Sequence, residues 1–149
     1  MLSKWMISVI RADWAALRPS AASLADEFYA RLFELDPELR SAFEKDVVEQ
    51  KAVLISMVSA ALAGLDDREV LIRAARALGH AGTTYRVKPR HYATVGMSFL
   101  WALKRVLGTT FGCENETAWM ELYGFVVDAA RGVEVRSNAQ LALNTVNLW

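Results

Sequence analysis

The chain has 149 residues, and its 17 lysine and arginine residues are balanced by 17 aspartate and glutamate residues. A formal net charge of zero argues against a protein that coats nucleic acid or binds a membrane surface through bulk charge. The one cysteine, Cys113, excludes an internal disulfide and any metal site built from several thiolates. Because no signal peptide and no apolar run of roughly 18 residues is present, we expect a single cytoplasmic domain over residues 1–149.

Hydrophobic periodicity predicts seven helices, and no window alternates as a strand would. In chain order the predicted helices cover residues 4–17, 21–35, 37–43, 46–64, 66–78, 89–108 and 116–133. Ser20 is a candidate cap for the second helix, and Asp36 directly before a proline suits the start of the third. Asp46 and Asp66 each precede a glutamate by three residues, which is the capping-box spacing. The sequence therefore predicts an all-α fold.

Few residues are candidates for chemistry. Only His80 and His91 supply imidazoles, which excludes a three-histidine metal site, and the position of His91 in a first helical turn predicts a solvated side chain. The chain has no nucleophile elbow, P-loop or dinucleotide-binding glycine pattern. The remaining candidates lie on or beside apolar faces: Tyr29, Phe43, Gln50 and His80. Each of them also has an ordinary interpretation as a core or surface residue.

Three groups of residues occur in a characteristic order. They are the run from Phe28-Tyr29 to Pro37-Glu38-Leu39, the group Tyr85-x-Val87-x-Pro89 with Tyr92 and Val95-Gly96, and the group Ala118-Trp119 with Leu122-Tyr123. In this order and spacing they resemble a globin, and specifically the single-domain bacterial globins related to flavohaemoglobins and neuroglobin. The resemblance covers about residues 5–134. It implies a globin fold, with the helices in a three-on-three arrangement around a haem-sized pocket, and haem b as the cofactor.

The resemblance also implies roles for individual residues. Tyr29 matches the distal tyrosine, whose hydroxyl hydrogen-bonds a ligand on the haem iron, and Gln50 matches the glutamine that supports it. The other implied haem contacts are Phe43, Leu54, Val87, Tyr92 and Val95. A hydroxyl donor in a dry pocket adds about 1.5–3 kcal/mol to the binding of a ligand that carries partial negative charge.

The histidine that binds the iron in this family lies at a different spacing here. Counting back from Pro89 without a gap places Gly82 at its position, whereas the imidazole is at His80. On a regular helix a difference of two residues is a rotation of about 200°, so without a gap His80 would face away from the haem. A two-residue insertion that forms a longer loop within residues 81–84 makes His80 the iron ligand, with Tyr92 orienting it. The alternative leaves this side of the iron open at Gly82.

The resemblance implies a protein that binds O₂, NO or CO, for gas sensing or for NO detoxification. Because the chain ends at Trp149, we expect any NO dioxygenase turnover to use an external reductase. The alternative function is a haem-free interaction module whose pocket is empty or holds an apolar ligand. Either form is expected as a monomer or homodimer, without nucleic-acid or membrane partners. The domain divides into a globin core over about residues 4–137 and a short tail over residues 138–149.

Overall fold

The computed structural model describes residues 2–43, 47–84 and 88–132, without the side chains of residues 42–43, 81–84 and 89. Within these ranges the chain forms seven α-helices and no strand, which confirms the predicted fold class. The helices are α1 (Lys4–Leu17), α2 (Ala21–Leu35), α3 (Pro37–Phe43), α4 (Val47–Ala63), α5 (Arg68–Thr84), α6 (Tyr92–Leu107) and α7 (Cys113–Ala130). Short 3₁₀ turns occupy Arg18–Ser20, Pro89–His91 and Gly108–Thr110. None of the described helices is both long and apolar enough to span a bilayer.

The helices pack in the three-on-three manner of the predicted fold. Helix α2 lies along α6, α4 packs on α2, and both α1 and α5 pack on α7. The largest aliphatic side chains with no exposed surface are Ile10, Leu17, Leu24 and Leu103. Beside them, the ring of Phe99 lies 6.0 Å from that of Phe28 and 5.8 Å from that of Trp119. These aromatic contacts join α2, α6 and α7 around the centre of the molecule.

The start of α5 is fixed by an aspartate one position later than predicted. The Asp67 carboxylate accepts hydrogen bonds from the backbone N–H groups of Glu69 at 3.0 Å and Val70 at 3.3 Å. This arrangement satisfies donors that a helix start otherwise leaves unpaired. Asp66, the predicted cap, instead forms an ion pair with Arg11 of α1 at 2.7 Å. The predicted cap at Asp66 is therefore wrong by one residue, and Asp66 joins α5 to α1.

The predicted cap at Ser20 and the predicted end of α5 are also wrong. The Ser20 side chain makes no capping bond to α2, because the 3₁₀ turn at Arg18–Ser20 runs directly into that helix. Helix α5 does not end near Leu78 in a loop, but continues to Thr84. Glycine and threonine are weak helix formers, but intrinsic propensity is a small term that tertiary packing overrides. In this case α5 packs on α7.

A buried carboxylate joins α1 to the start of α7. Asp13 is only 7% exposed, and its oxygens accept a hydrogen bond from the indole N–H of Trp119 at 2.9 Å. The side-chain amide of Asn115 donates to both Asp13 oxygens at 2.9 Å, and the Asn115 amide oxygen accepts from the backbone N–H of Gly112 at 3.0 Å. Burial of a charge is costly unless it is hydrogen-bonded, and these donors satisfy that requirement. The network sets the position of α7 relative to α1.

His91 is buried, so the prediction of a solvated imidazole is wrong. Its Nδ1 accepts a hydrogen bond from the backbone N–H of Lys88 at 2.9 Å, and the residue is 3% exposed. Because Nδ1 is the acceptor, the proton of the neutral ring is on Nε2. Nε2 lies 3.4 Å from a carboxylate oxygen of Asp36 and 3.7 Å from one of Glu38. The ring thus connects the start of α6 to the junction between α2 and α3.

Replacing Asp13 with alanine is expected to lower the free energy of unfolding by about 2–4 kcal/mol, because buried donors of Trp119 and Asn115 lose their acceptor. Urea unfolding followed by circular dichroism measures the change. The control is Glu121→Ala on the exposed side of α7, which is expected to change stability by less than about 0.5 kcal/mol. Equal stabilities of the two variants would show that the Asp13 network does not hold the helices together.

Candidate functional site

A cavity of about 220 Å³ lies between α2, α4, α5, α6 and α7. Its walls are almost wholly apolar; α4 and α7 contribute aliphatic side chains that include Met57, Ala61 and Val126. The polar groups on the walls belong to a few residues: Tyr29, Gln50, Tyr92, Trp119 and Tyr123. The indole N–H of Trp119 is already bonded to Asp13. An apolar cavity with a few convergent polar groups is the usual form of a small-molecule or cofactor site.

The wall formed by α2 and α4 carries the first pair of polar side chains. Tyr29 is 5% exposed, and its ring packs edge-on against Phe28 at 4.9 Å. Its hydroxyl donates to the backbone carbonyl oxygen of Gln50 at 3.5 Å, a long hydrogen bond. Leu54 follows Gln50 by one helical turn, so both side chains face the cavity from α4. This wall therefore presents the Tyr29 phenol, the Gln50 amide and the Leu54 aliphatic side chain to the cavity.

The facing wall is formed where α6 and α7 approach closely. The Tyr123 hydroxyl donates to the backbone carbonyl oxygen of Tyr92, at the first turn of α6. The Tyr123 ring lies against Gly96, so a Cβ atom at that position would be 2.5 Å from Cε1 of the ring. Burial, and secondarily the neighbouring Tyr92, raise the pKa of Tyr123 well above its ordinary value. The phenol therefore stays protonated and acts as a donor.

Five of the eight predicted site residues line this one cavity: Tyr29, Gln50, Leu54, Tyr92 and Val95. The Phe43 side chain and the whole of Val87 lie outside the described residues. His80 is placed in α5 with an exposed side chain, and it is not among the residues that line the cavity. The structure thus brings the predicted distal and apolar residues together and does not bring His80 to them. The role of His80 as iron ligand stays a prediction.

The contribution of Tyr123 was missed by sequence reasoning, which named it only within the group Ala118-Trp119 with Leu122-Tyr123. A signal was present in Gly96, since a glycine inside an otherwise apolar helical face indicates the close approach of another element. The element that approaches is the Tyr123 ring. One glycine does not reveal its partner, so this contact could be recognised only from the structure.

A family model described as Globin matches residues 26–130 of the chain. Curated relatives include a flavohemoprotein of Bacillus subtilis, 31% identical over 137 residues, and a flavohemoprotein of Bacillus cereus, 30% identical over 145 residues. These matches cover 90% and 95% of this chain but only 34% and 36% of the relatives. The chain therefore spans about a third of the length of these curated relatives.

Solved structures show the same arrangement of helices. An engineered carbene transferase derived from a putative nitric oxide dioxygenase of Rhodothermus marinus is 26% identical, with a TM-score of 0.78 and 100% coverage of both chains. A hexacoordinated haem protein from an anhydrobiotic tardigrade has a TM-score of 0.79 and covers 88% of this chain and 94% of its own. At 14% identity the second likeness shows the fold alone.

Replacing Gly96 with alanine is expected to destabilise the protein by about 1–3 kcal/mol, because the added methyl group overlaps the rigid ring of Tyr123. Gly124→Ala is the matched control, since nothing lies within 4 Å of a Cβ atom there and the residue is also within a helix. Better helix propensity should make this control more stable by about 0.5–1 kcal/mol. Chemical denaturation distinguishes the two variants, and a destabilised control or a neutral Gly96→Ala would contradict the close approach.

The free energy of unfolding is expected to fall as the pH rises above 10.0, the ordinary pKa of tyrosine. In that range Tyr123 ionises in the unfolded chain, while burial keeps it protonated in the folded chain, so ionisation favours unfolding. The protonated phenol makes its full contribution to the free energy of unfolding at pH values below the ordinary pKa. Denaturation of the wild type and of Tyr123→Phe over a series of pH values measures this contribution as the difference between their free energies of unfolding. The contributions of the other titrating groups are the same in both proteins and cancel. Parallel pH profiles for both proteins would contradict the assignment.

Proposed function

The chain belongs to the globin family, and on this premise we propose that it binds haem b in the cavity and takes a diatomic gas at the iron. The observation that carries the proposal is the cavity itself, in which Tyr29 and Gln50 lie on one wall of an otherwise apolar volume. The name of the curated relatives, flavohemoprotein, supports the same cofactor. Haem, when bound, supplies an iron atom that coordinates O₂, NO or CO.

The walls of the cavity fit a flat apolar group. Leu54 from α4 and Val95 from α6 offer aliphatic surface on facing walls, and Tyr92 adds an aromatic surface. The volume of about 220 Å³ lies below the usual range of ligand pockets, about 300–1,000 Å³. The helices around the cavity must therefore move apart when a group as large as haem enters. Burial of the porphyrin against these side chains supplies the favourable free energy for that movement.

Tyr29 is the residue that we assign to recognition of the gas. Tyr29 is buried, and its hydroxyl donates a long hydrogen bond of 3.5 Å to the Gln50 carbonyl oxygen. A gas ligand with partial negative charge on its outer atom offers a better acceptor than that carbonyl. The exclusion of water by the apolar walls strengthens such a hydrogen bond. This arrangement favours retention of O₂ over that of a less polar ligand.

The biological role that we propose is gas sensing or NO detoxification. Relatives named flavohemoprotein and a putative nitric oxide dioxygenase support a role that involves NO and O₂. Conversion of NO and O₂ to nitrate consumes one electron for each NO, so turnover needs a reductase. In this proposal a reductase that lies outside residues 1–149 supplies the electron.

The test is a titration of the purified protein with hemin, followed by reduction and measurement of O₂ and CO release. We expect a Soret band at one equivalent of hemin. Tyr29→Phe is expected to speed O₂ release by about 10–100-fold, which corresponds to the loss of a charge-assisted hydrogen bond of about 1.5–3 kcal/mol. CO release should change much less, because its outer atom carries less negative charge, so CO serves as the internal control.

Absence of a Soret band would contradict the proposal. Uptake of an apolar fluorescent probe by the same colourless protein would then favour the haem-free interaction module. A normal Soret band with unchanged O₂ release in Tyr29→Phe would keep haem binding and remove the assigned role of Tyr29.

A further inference from the structure

The donors around Asp13 show which form of its carboxyl group the fold accommodates. The Asn115 amide donates to both oxygens, and the Trp119 indole N–H donates to one of them, each at 2.9 Å. An ionised carboxylate only accepts hydrogen bonds, whereas a protonated one would need an acceptor for its own hydrogen. The arrangement of donors therefore suits the ionised form, which places a negative charge inside the protein.

No cation offsets this charge in the part of the chain that the structure describes. Over residues 2–43, 47–84 and 88–132, the side-chain donors to Asp13 are a neutral amide and a neutral indole. None of the ion pairs within these ranges includes Asp13. Neutral donors satisfy the two oxygens but leave the net charge in place. The field of the carboxylate therefore extends into its surroundings.

Trp119 connects this charge to the wall of the cavity. Its side chain lines the cavity, and its ring lies 5.8 Å from that of Phe99, which lines the same volume. The hydrogen bond to Asp13 joins α7 to α1, whereas the cavity is enclosed by the other long helices. Widening of the cavity therefore does not have to break this bond. One indole separates the carboxylate from the cavity.

A negative charge at this place favours the more positive of two states of a bound group. Ferric haem carries one more positive charge than ferrous haem, and the surroundings of the porphyrin are among the factors that set its reduction potential. Because the walls of the cavity are almost wholly apolar, charges across them interact at a lower effective dielectric constant than in water. The carboxylate should therefore stabilise the ferric state.

We infer that Asp13 is a positioning residue for the haem site, which holds the Trp119 indole in the cavity wall and lowers the reduction potential of haem bound there. This inference rests on the proposed function, since it concerns the same cavity. It adds to that proposal a residue of α1 that does not line the cavity. The external reductase must then be a stronger reductant than the same cavity without the carboxylate would require.

The experiment is a redox titration of hemin-loaded wild type and Asp13→Asn, followed by absorption. The variant keeps an oxygen that accepts from Trp119 and removes the charge. We expect the ratio of ferric to ferrous haem at a fixed potential to fall about tenfold, which is a rise in midpoint potential of about 59 mV for one electron. Glu121→Gln is the matched control, because it removes the same charge from the exposed side of α7, where water and salt screen it.

Ligand binding to the ferric protein separates an effect of charge from a change in structure. Asp13→Asn should bind azide, an anion, several-fold more tightly than the wild type, and should bind neutral imidazole with unchanged affinity. The double variant Asp13→Asn/Asn115→Asp returns a carboxylate to the same hydrogen-bond network, so its midpoint potential should return toward the wild-type value. Equal changes for azide and imidazole, or no return in the double variant, would overturn the inference.

Equal midpoint potentials of wild type and Asp13→Asn, each with a Soret band, would also overturn the inference and leave the proposed haem binding intact. A wild type that takes up no hemin would contradict the proposed function and the inference with it.

A second measurement keeps the inference testable if Asp13→Asn does not fold. In haem-free wild type, nuclear magnetic resonance measures the exchange of indole N–H hydrogens with solvent. The Trp119 N–H, which is buried and bonded to Asp13, should exchange at least about tenfold more slowly than that of Trp5, which is 46% exposed. Equal exchange rates would show that the Asp13 bond is not maintained in solution, and would overturn the inference.

Discussion

The cavity depends on the direct contact between α6 and α7, where the Tyr123 ring lies on the backbone at Gly96. Any side chain at Gly96 would hold the two helices further apart. At the observed separation the Tyr123 hydroxyl reaches the carbonyl of Tyr92 and holds the first turn of α6 in place. Val95 and Phe99, which follow on the same helix, are thereby directed into the cavity opposite Tyr29. One missing side chain thus sets how closely α6 and α7 pack in this wall of the cavity.

Much of the architecture could be predicted, because it depends on local patterns. The bounds of α1, α2 and α3 follow from apolar periodicity and from the proline that follows Asp36, and the structure agrees with them. The cavity positions of Tyr29 and Gln50 were predicted from the family resemblance, and both residues lie on its wall. The helix bounds needed only residues that are close in sequence. The cavity positions needed only a motif spacing shared with the family that the chain resembles.

The features that were not predicted depend on contacts between distant parts of the chain. The buried ring of His91 lies beside Asp36 and Glu38, which precede it by more than fifty residues and belong to another helix junction. Helix α5 continues through weak helix formers to Thr84, and it packs on α7, which is distant in sequence. The orientation of His80 depends on how α5 is rotated against Ala130. Propensity and periodicity carry no information about such distant partners.

The Asp13 network has a consequence for motion in the molecule. Trp119 forms part of the cavity wall, and its indole N–H is bonded to the Asp13 carboxylate of α1. Reorientation of that indole therefore requires α1 to break a buried, charge-assisted hydrogen bond. A helix that contributes none of the described lining residues therefore restrains one wall of the cavity, so that a change in the packing of α1 is transmitted to the cavity through Trp119.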